Sequence, residues 1–409
     1  MTESIKQALA ESPVVLLIGA RQSGKSTLVR NLGPEDHQPL YLTFDDLTLL
    51  SSASANPQAF LDSVQKPVIF DEIQRIPDLL IHIKKSVDED RKPGSYLLTG
   101  SANVLALPMA ADSLVGRMDV IKLFPLSQGE INGQKESFID MVCSDNFALP
   151  GKTDKEDREH FFDRIFTGGF PEAVQRTSKA GRDRWFRAYT TTLLQRDMRD
   201  LANIEGAADL PRLLSVLAAR SGGLVNFADI SRSTAITQTT LKRYIALLEQ
   251  LFLIDFLPAY SANLTKRLTK APKLYFSDTG ILSYLIGANW QKMLVENTMA
   301  GTLVENFVVN ELKKQAGWNE TNVTMYHFRT TNNEEVDIIL EMPGGDVVGI
   351  EVKSGASIGK DAFKGLKVLK ENLGKKFKRG IVLYTGEIST AFDNDMFALP
   401  IQTMWAEQN

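Results

Sequence analysis

Cysteine is almost absent from this chain, since Cys143 is the single one among 409 residues. One cysteine can form neither an internal disulfide nor a cysteine-built metal site, which is typical of a protein from a reducing cytosol. The simplest interpretation of Cys143 is a small buried hydrophobe. A membrane-length apolar run is also missing, and the polar start Met1-Thr-Glu-Ser4 does not resemble a signal peptide. We therefore expect a soluble, cytoplasmic protein with no membrane partner.

The chain also lacks an excess of one charge, because 46 Lys and Arg stand against 50 Asp and Glu. A formal net charge of −4 does not mark a nucleic-acid binder, so any DNA surface must be a local patch. The composition, with 43% hydrophobic and 23% charged residues, is that of an ordinary folded protein. Its length is enough for about two to four domains.

The clearest motif is Gly19-Ala-Arg-Gln-Ser-Gly-Lys-Ser-Thr27, which fits the pattern G-x-x-x-x-G-K followed by Ser or Thr. It follows an apolar run that reads as a buried strand and precedes a helix-like segment. Gly19 and Gly24 let the backbone turn toward a phosphate, Lys25 adds a positive charge, and the Ser26 hydroxyl can reach Mg²⁺. The sequence predicts an ATP and Mg²⁺ site, with these loop residues as its nucleotide contacts: Gly19, Arg21, Gln22, Ser23, Gly24, Lys25, Ser26 and Thr27.

Residues 12–126 alternate between strand-like and helix-like patterns. This alternation predicts an α/β fold, in which a parallel sheet is covered by helices and ligands bind at the carboxyl ends of the strands. The strand candidates are residues 14–18, 40–44, 68–70, 96–99 and 120–124.

Two acids directly follow the third of these strands. Asp71 at the strand end can hold Mg²⁺, and Glu72 beside it can act as the base that polarises the attacking water. The next strand leads to Ser101, which we predict to lie beside the γ-phosphate, with Thr99 and Asn103 as alternatives. We thus predict Lys25, Glu72 and Ser101 as catalytic residues and Ser26 and Asp71 as the metal ligands.

These motifs resemble the AAA+ ATPases of the family that carries a C-terminal DUF4143 domain. The resemblance covers nearly the whole chain, and its exception is the polar stretch 131–159, which we interpret as an inserted surface loop or a variable link to the lid. It implies that Arg117 projects into a neighbouring subunit's site and is catalytic there, within a homo-oligomeric ring such as a hexamer; an arginine at a strand start is otherwise usually solvated. Further matching segments are Gly116-Arg117, Gly168-Gly-Phe-Pro171, Gln195-Arg-Asp-Met-Arg-Asp200, Lys273-Leu-Tyr-Phe-Ser-Asp-Thr-Gly280 and Glu335-Val-Asp337.

The patterns and the resemblance together give a predicted domain organisation. It comprises a P-loop AAA+ core over 1–130, a variable loop or linker over 131–159, a helical lid over 160–205, a winged helix over 206–277 and a restriction-endonuclease-like α/β domain over 278–409. In the lid, Arg196 is a candidate nucleotide contact.

The predicted winged helix offers one way to hold DNA. Its third helix exposes Thr239, Lys242 and Arg243, which could enter a major groove. A loop between its two strands could hold phosphates through Lys266, Arg267 and Lys270. Winged helices also serve as scaffolds between protein domains, so both interpretations stay open.

The last domain carries a second group of chemical residues. Glu305 is predicted on a helix, Asp337 on a strand, and Glu351 and Lys353 on the same face of the next strand. Their order resembles the PD-(D/E)XK nucleases, whose Mg²⁺ ions promote phosphodiester hydrolysis; the alternative is a retained fold that binds without cutting. The most basic region follows and is either a phosphate-tracking surface or a solvated helix: Lys360, Lys364, Lys367, Lys375, Lys376, Lys378 and Arg379.

We interpret the whole as an ATP-hydrolysing AAA+ protein that remodels or translocates DNA, including branched DNA, as a ring. One alternative is an ATP-gated, Mg²⁺-dependent endonuclease that uses Glu305, Asp337, Glu351 and Lys353. Another is a nucleotide-dependent switch that binds protein partners through the winged helix.

Overall fold

A computed structural model describes residues 1–32, 39–101, 114, 116–153, 156–197, 209–261, 263, 267 and 270–406. The chain divides into two compact units. The first comprises Met1–Pro125 with Leu248–Leu253, and the second comprises Leu126–Leu247 with Ile254–Asn409. Among the described residues, every helix is too short or too polar to cross a membrane.

The first unit is built on a parallel sheet, and its described strands run in the order β2-β3-β4-β1-β5. The strands are β1 (Val14–Gly19), β2 (Leu40–Thr43), β3 (Val68–Asp71), β4 (Tyr96–Gly100) and β5 (Met118–Leu123). The α-helices described in this part of the chain are α1 (Thr2–Glu11), α2 (Lys25–Arg30), α3 (Leu47–Ala55), α4 (Pro57–Ser63) and α5 (Leu79–Glu89).

The core of this unit explains why β1 lies inside the sheet. All six residues of β1 are buried, as expected of a parallel strand that is covered on both faces. Val15 and Leu17 pack with Ile5 of α1 and Val29 of α2. Burial of each such side chain stabilises the fold by roughly 1.5–3 kcal/mol. The predicted α/β class with a parallel sheet is therefore confirmed.

The second unit begins with two short helices, α6 (Gln128–Asn132) and α7 (Phe138–Cys143). We expected an inserted surface loop or a variable link over 131–159, and within it the structure has a helix with a buried face. Phe138, Val142 and Cys143 are buried in α7, and Arg379 donates a hydrogen bond to the carbonyl oxygen of Val142 at 2.6 Å. The apolar residues recur at helical spacing, so this part of the stretch belongs to a core, and the interpretation of Cys143 as a buried hydrophobe is confirmed.

In the described part of residues 158–315, helices dominate, and β6 (Ile254–Leu257) and β7 (Lys273–Phe276) form an antiparallel hairpin. The described helices are α8 (Arg158–Thr167), α9 (Pro171–Val174), α10 (Lys179–Thr192), α11 (Leu210–Ala218), α12 (Phe227–Thr234), α13 (Gln238–Gln250), α14 (Thr279–Leu285), α15 (Trp290–Val295) and α16 (Asn297–Gln315).

A mixed sheet closes the second unit, and its described strands run in the order β12-β13-β11-β10-β9-β8. Phe363, Leu366 and Leu369 pack against one face of it, which places the start of the basic region on the sheet. The elements are β8 (Thr324–Arg329), β9 (Glu335–Glu341), β10 (Val347–Lys353), α17 (Lys364–Leu373), β11 (Phe377–Tyr384), β12 (Thr390–Asp393) and β13 (Met396–Pro400).

A buried charged network joins α6 to α16. Glu311 accepts a hydrogen bond from the backbone N–H of Gln128 at 2.8 Å, and Lys314 donates to the carbonyl oxygen of Leu126 at 2.9 Å and to Glu311 at 2.6 Å. Glu136 lies in the same interior and accepts from the hydroxyl of Ser127 at 2.5 Å. The start of the second unit, residues 126–128, is therefore held by α16.

Candidate functional site

The loop between β1 and α2 has the backbone shape that the motif predicts. Gly24 has a φ of 102° and Gln22 a φ of 61°, both in the left-handed region, immediately before α2 begins at Lys25. Gly19 is required for a different reason than we expected. A Cβ there would lie 2.2 Å from the carbonyl oxygen of Leu123, so only glycine allows β5 to approach this closely.

Lys25 is buried in this loop. Its ammonium donates hydrogen bonds to the carbonyl oxygens of Gly19 at 3.0 Å and Ala20 at 2.8 Å. Burial lowers the pKa of Lys25 to about 8, although the nearby charges of Glu72 and Asp71 oppose that shift. The lysine is thus held inside the loop, where a phosphate would offer it stronger partners than two carbonyl groups.

Asp71 at the end of β3 meets Ser26 at the start of α2. The Ser26 hydroxyl lies 3.1 and 3.0 Å from the two carboxylate oxygens of Asp71. Tyr41 of β2 and Thr99 of β4 also donate to this carboxylate. The two predicted metal ligands, one hydroxyl and one carboxylate, are therefore side by side, and hard oxygen donors are what Mg²⁺ prefers.

Glu72 follows Asp71 and adopts a left-handed backbone with a φ of 60°. Its carboxylate accepts hydrogen bonds from the Ser101 hydroxyl, at 2.7 and 2.8 Å, and from the side-chain amide of Gln74. Thr99 accepts a hydrogen bond from the backbone N–H of Glu72 at 3.2 Å. Ser101 and Thr99, two of the three candidates for the residue beside the γ-phosphate, thus contact the acid pair, while Asn103 lies outside the described residues.

Strand order explains this convergence. Because β4 lies between β1 and β3, the carboxyl ends of the three neighbouring strands place Lys25, Asp71 and Ser101 at one edge of the sheet.

Arg117 precedes β5, and its guanidinium forms an ion pair with Asp88 of α5 at 2.5 Å.

Arg21, Gln22, Ser23 and Thr27 complete the predicted loop. Ser23 is buried, and its hydroxyl oxygen has no hydrogen-bond partner among the described atoms, whereas Gln22 and Thr27 are exposed. A buried hydroxyl without a partner is uncommon in folded proteins. The loop therefore holds a polar group that a ligand could satisfy.

The second predicted cluster, in the C-terminal domain, contains a residue that we did not expect. The ammonium of Lys273, on β7, lies 2.8 Å from Glu305 Oε1 and 3.3 Å from Asp337 Oδ1. Tyr275 donates a hydrogen bond to the same oxygen of Glu305 at 2.6 Å. Burial alone would lower the pKa of Lys273, but the charges of Glu305 and Asp337 outweigh it and raise that pKa above its usual value.

Glu351 and Lys353 contact each other on the neighbouring strand β10, with 2.7 Å between the ammonium and Glu351 Oε1. Burial, reinforced by the charge of Asp337, raises the pKa of Glu351 to about 8 and that of Glu305 to about 7. Within the described ranges, no group of three or more Asp, Glu, His or Cys residues is placed to hold a metal ion. The predicted nuclease residues are neighbours, but as they lie in the described structure their oxygens do not surround a common position for a divalent cation.

The basic surfaces only partly match the expectation. Arg267 is not available to phosphates, because it forms a two-pronged ion pair with Glu341 at 2.6 and 2.7 Å. Lys270 is exposed, and Lys266 lies outside the described residues, as does the side chain of Arg196. Lys378 pairs with Asp145, and Arg379 is buried. The residues that remain exposed are Thr239, Lys242, Arg243, Lys360, Lys364, Lys367, Lys375 and Lys376.

Sequence reasoning missed four side chains that contact these sites. Tyr41 and Gln74 are ordinary residues of a strand and a turn, and no motif marks them. Lys273 and Tyr275 were noted only within a family signature, and their partners Asp337 and Glu305 are 64 and 30 residues away in the chain. Only the paired strands and helices bring such residues together.

Comparison with known families covers most of the chain. The sequence model described as "AAA domain" matches residues 11–132. Two models described as domains of unknown function match the rest, DUF8612 over residues 158–292 and DUF4143 over residues 300–404. The AAA match contains Lys25, Asp71 and Glu72, and the DUF4143 match contains Glu305 and Glu351.

Among individual proteins, uncharacterised proteins of Mycobacterium tuberculosis and Mycobacterium bovis are each 29% identical over 400 residues, covering 97% of this chain and 82% of theirs. Among solved structures, a Walker-type ATPase of Pyrococcus abyssi has a TM-score of 0.43 at 15% identity, over 69% of this chain and 94% of that one. The RuvB Holliday junction branch migration motor of Thermotoga maritima has a TM-score of 0.30 at 19% identity, over 63% and 89%. At these scores the structural likenesses carry no functional conclusion.

Proposed function

Since this chain joins an AAA domain to a C-terminal DUF4143 domain, we propose that it hydrolyses ATP and uses the reaction to remodel or translocate DNA as a ring. The contact between Ser26, which directly follows Lys25, and Asp71, with 3.0 Å between the hydroxyl and a carboxylate oxygen, is the observation that supports the ATPase part.

Each residue at this edge has a role in the proposed reaction. The backbone N–H groups that follow Gly24 and the ammonium of Lys25 bind the phosphates of ATP. Ser26 and Asp71 hold the Mg²⁺ that accompanies ATP and neutralises phosphate charge. Glu72 accepts a proton from the water that attacks the γ-phosphorus, so that the bond to ADP breaks and phosphate leaves. Ser101 orients Glu72, and Arg117 of an adjacent subunit stabilises the charge that develops on the transferred group.

The exposed cations of the second unit support the DNA part of the proposal. Lys242 and Arg243 share an exposed face of α13, as a helix entering a groove of DNA requires. Lys360, Lys364 and Lys367 form an exposed row that runs from a short 3₁₀ segment into α17. Rows of this kind bind phosphates and release counterions, so we expect an affinity that falls steeply with salt.

The ATPase part is tested with the full chain, ATP and Mg²⁺. We expect ADP and phosphate in equal amounts, and calorimetry should show ATP and ADP binding. If neither nucleotide binds in the presence of Mg²⁺, the assignment of the loop is wrong.

The DNA part needs a separate measurement, so that its failure is distinguishable from loss of ATP turnover. Labelled branched, duplex and single-stranded DNA are titrated with the protein at low salt, with and without ATP. We expect binding to weaken at least tenfold in the double variant Lys242→Ala, Arg243→Ala. The control is Lys85→Ala, which removes an exposed lysine of α5 in the first unit. If no DNA binds while ATP turnover persists, a nucleotide-dependent switch for protein partners replaces this proposal.

A further inference from the structure

We propose that the ammonium of Lys273 takes the place of the divalent cation in the acidic cluster of Glu305, Asp337 and Glu351, so that this cluster anchors the β6–β7 hairpin and cleaves no DNA. This inference is independent of the ATPase activity, because it concerns residues of the second unit alone.

The position of Lys273 excludes a metal ion from the oxygens that should bind it. Its ammonium lies 2.8 Å from Glu305 Oε1 and 3.3 Å from Asp337 Oδ1, and only 4% of the side chain is exposed. A Mg²⁺ ligated by these two oxygens would need to lie about 2.1 Å from each. Ion and ammonium would then be like charges in a buried site, which is strongly unfavourable.

Two of the four remaining carboxylate oxygens of the cluster are held by other hydrogen bonds. Asp337 Oδ2 accepts a hydrogen bond from the backbone N–H of Val352 at 2.9 Å, so both oxygens of Asp337 are used. Glu351 Oε1 accepts from Lys353 at 2.7 Å. Glu351 Oε2 is a buried carboxylate oxygen of the described cluster without a hydrogen-bond partner, and it belongs to neither of the two acids that Lys273 contacts.

Lys273 also has a structural role, because it links the hairpin to two other elements. It is the first residue of β7, whereas Glu305 is on α16 and Asp337 is on β9. One side chain thus ties the hairpin to both elements. At the other end of β7, Asn306 and Asn310 of α16 each donate a hydrogen bond to the carbonyl oxygen of Phe276 at 2.9 Å. The strand is therefore anchored along α16 at both ends.

The test counts Mn²⁺ ions bound to the full chain without nucleotide, by electron paramagnetic resonance. Asp337→Asn leaves the phosphate loop intact, so the ions that it binds are subtracted from the wild-type count to give the number bound at the acidic cluster. We expect the same number of bound ions in the wild-type protein and in Asp337→Asn. In Lys273→Met we expect one additional ion per chain, which disappears in the double variant Lys273→Met, Asp337→Asn. The matched control Lys270→Met removes an exposed lysine near the same strand and should gain none.

Two further readouts do not depend on ion counting. Mn²⁺ should raise the thermal midpoint of Lys273→Met but not that of the wild-type protein, because binding to the native state alone stabilises it. Wild-type protein should leave supercoiled plasmid intact with Mg²⁺ or Mn²⁺.

An Asp337-dependent ion in the wild-type protein, or plasmid nicking that Asp337→Asn abolishes, would overturn the proposal. So would a folded Lys273→Met that gains no ion. If Lys273→Met does not fold, the wild-type comparison with Asp337→Asn still decides the question.

Discussion

The hydroxyl oxygen of Ser101 lies 2.7 and 2.8 Å from the two carboxylate oxygens of Glu72. Ser101 directly follows β4 and Glu72 directly follows β3, so two neighbouring strands of the sheet set this contact. The side-chain amide of Gln74 donates to the same carboxylate. A general base held by two donors has a fixed direction, which proton abstraction from a positioned water requires.

Replacing the base should separate binding from hydrolysis. We expect Glu72→Gln to bind ATP about as tightly as the wild-type protein but to hydrolyse it roughly 10²- to 10⁴-fold more slowly, the usual contribution of a general base. Calorimetry measures the first quantity and phosphate release the second. Weak ATP binding by this variant would instead mean that Glu72 has a structural role.

Removing the hydroxyl that orients the base should have a smaller effect. A hydrogen bond to a charged group contributes about 1.5–3 kcal/mol, so Ser101→Ala should slow hydrolysis by roughly ten- to hundredfold. Ser101→Thr retains a hydroxyl at the same atom and is the matched control. Equal rates for Ser101→Ala and the wild-type protein would show that this contact does not orient Glu72 during turnover.

Lys25 should be indispensable for turnover. Its ammonium is the buried cation of the phosphate loop, and Lys25→Ala leaves the loop with no comparable charge for the β- and γ-phosphates. We expect this variant to show no ATP hydrolysis above background in a phosphate-release assay. Normal turnover in Lys25→Ala would refute the assignment of the loop.

The pKa of Lys25 adds a dependence on pH. Burial lowers that pKa to about 8 in the nucleotide-free protein, and the phosphates of ATP favour the charged form. The lysine is charged below pH 8, so ATP affinity should be constant there and fall by up to about tenfold per pH unit above it. Lys25→Arg keeps its charge across this range and should lose the dependence, if it still binds ATP. An unchanged wild-type affinity from pH 7 to pH 9.5 would contradict the prediction.

Arg117 should act across subunits. In the single chain its guanidinium is paired with Asp88, which leaves the residue at the edge of the sheet beside β5. We expect Arg117→Ala to lose hydrolysis and to recover part of it when mixed with Lys25→Ala, because each variant would supply what the other lacks. Steady-state turnover of the mixture, compared with each variant alone, measures this rescue. Without rescue, a role for Arg117 in a neighbouring subunit is unsupported.

Local motifs were the predictable part of this molecule. The phosphate loop and the acid pair each occupy a few consecutive residues, and the strands before them are short apolar runs, so the sequence indicates both the elements and the edge where they meet. Asp71 and Ser26 are 45 residues apart, yet their contact follows from the rule that ligands bind at the carboxyl ends of parallel strands.

Contacts without a motif were not predictable. Lys273 reaches Asp337, and Arg267 reaches Glu341, only because of how the hairpin packs within the second unit. A lysine or arginine in an isolated sequence most often indicates a solvated side chain. The residues around Lys273 and Arg267 do not indicate that each contacts an acid, 64 and 74 residues later in the chain. The helix α7 is different, since the spacing of Phe138, Ile139, Val142 and Cys143 does indicate a buried helical face. The polar residues around it outweighed that signal in our interpretation.

Glu136 should make the stability of the second unit depend on pH. Burial, with a further contribution from the charge of Glu311, raises the pKa of Glu136 from 4.5 to about 7. The folded state therefore binds this proton more tightly than the unfolded state does. The stabilisation that this bound proton gives the folded state is complete below pH 4.5 and is lost as the pH rises through 7. The loss in the free energy of unfolding is at most about 3 kcal/mol.

The variant Glu136→Gln stays neutral and should escape this loss. We expect its thermal midpoint to fall less than that of the wild-type protein between pH 5 and pH 8, as measured by scanning calorimetry at several pH values. Glu159→Gln, which changes an exposed glutamate of α8, is the matched control and should follow the wild-type curve. If the thermal midpoint of Glu136→Gln falls in parallel with that of the wild-type protein, ionisation of Glu136 does not govern stability in this range. The charge of Glu136 must then be compensated in the folded state by Lys314, whose ammonium lies in the same buried network.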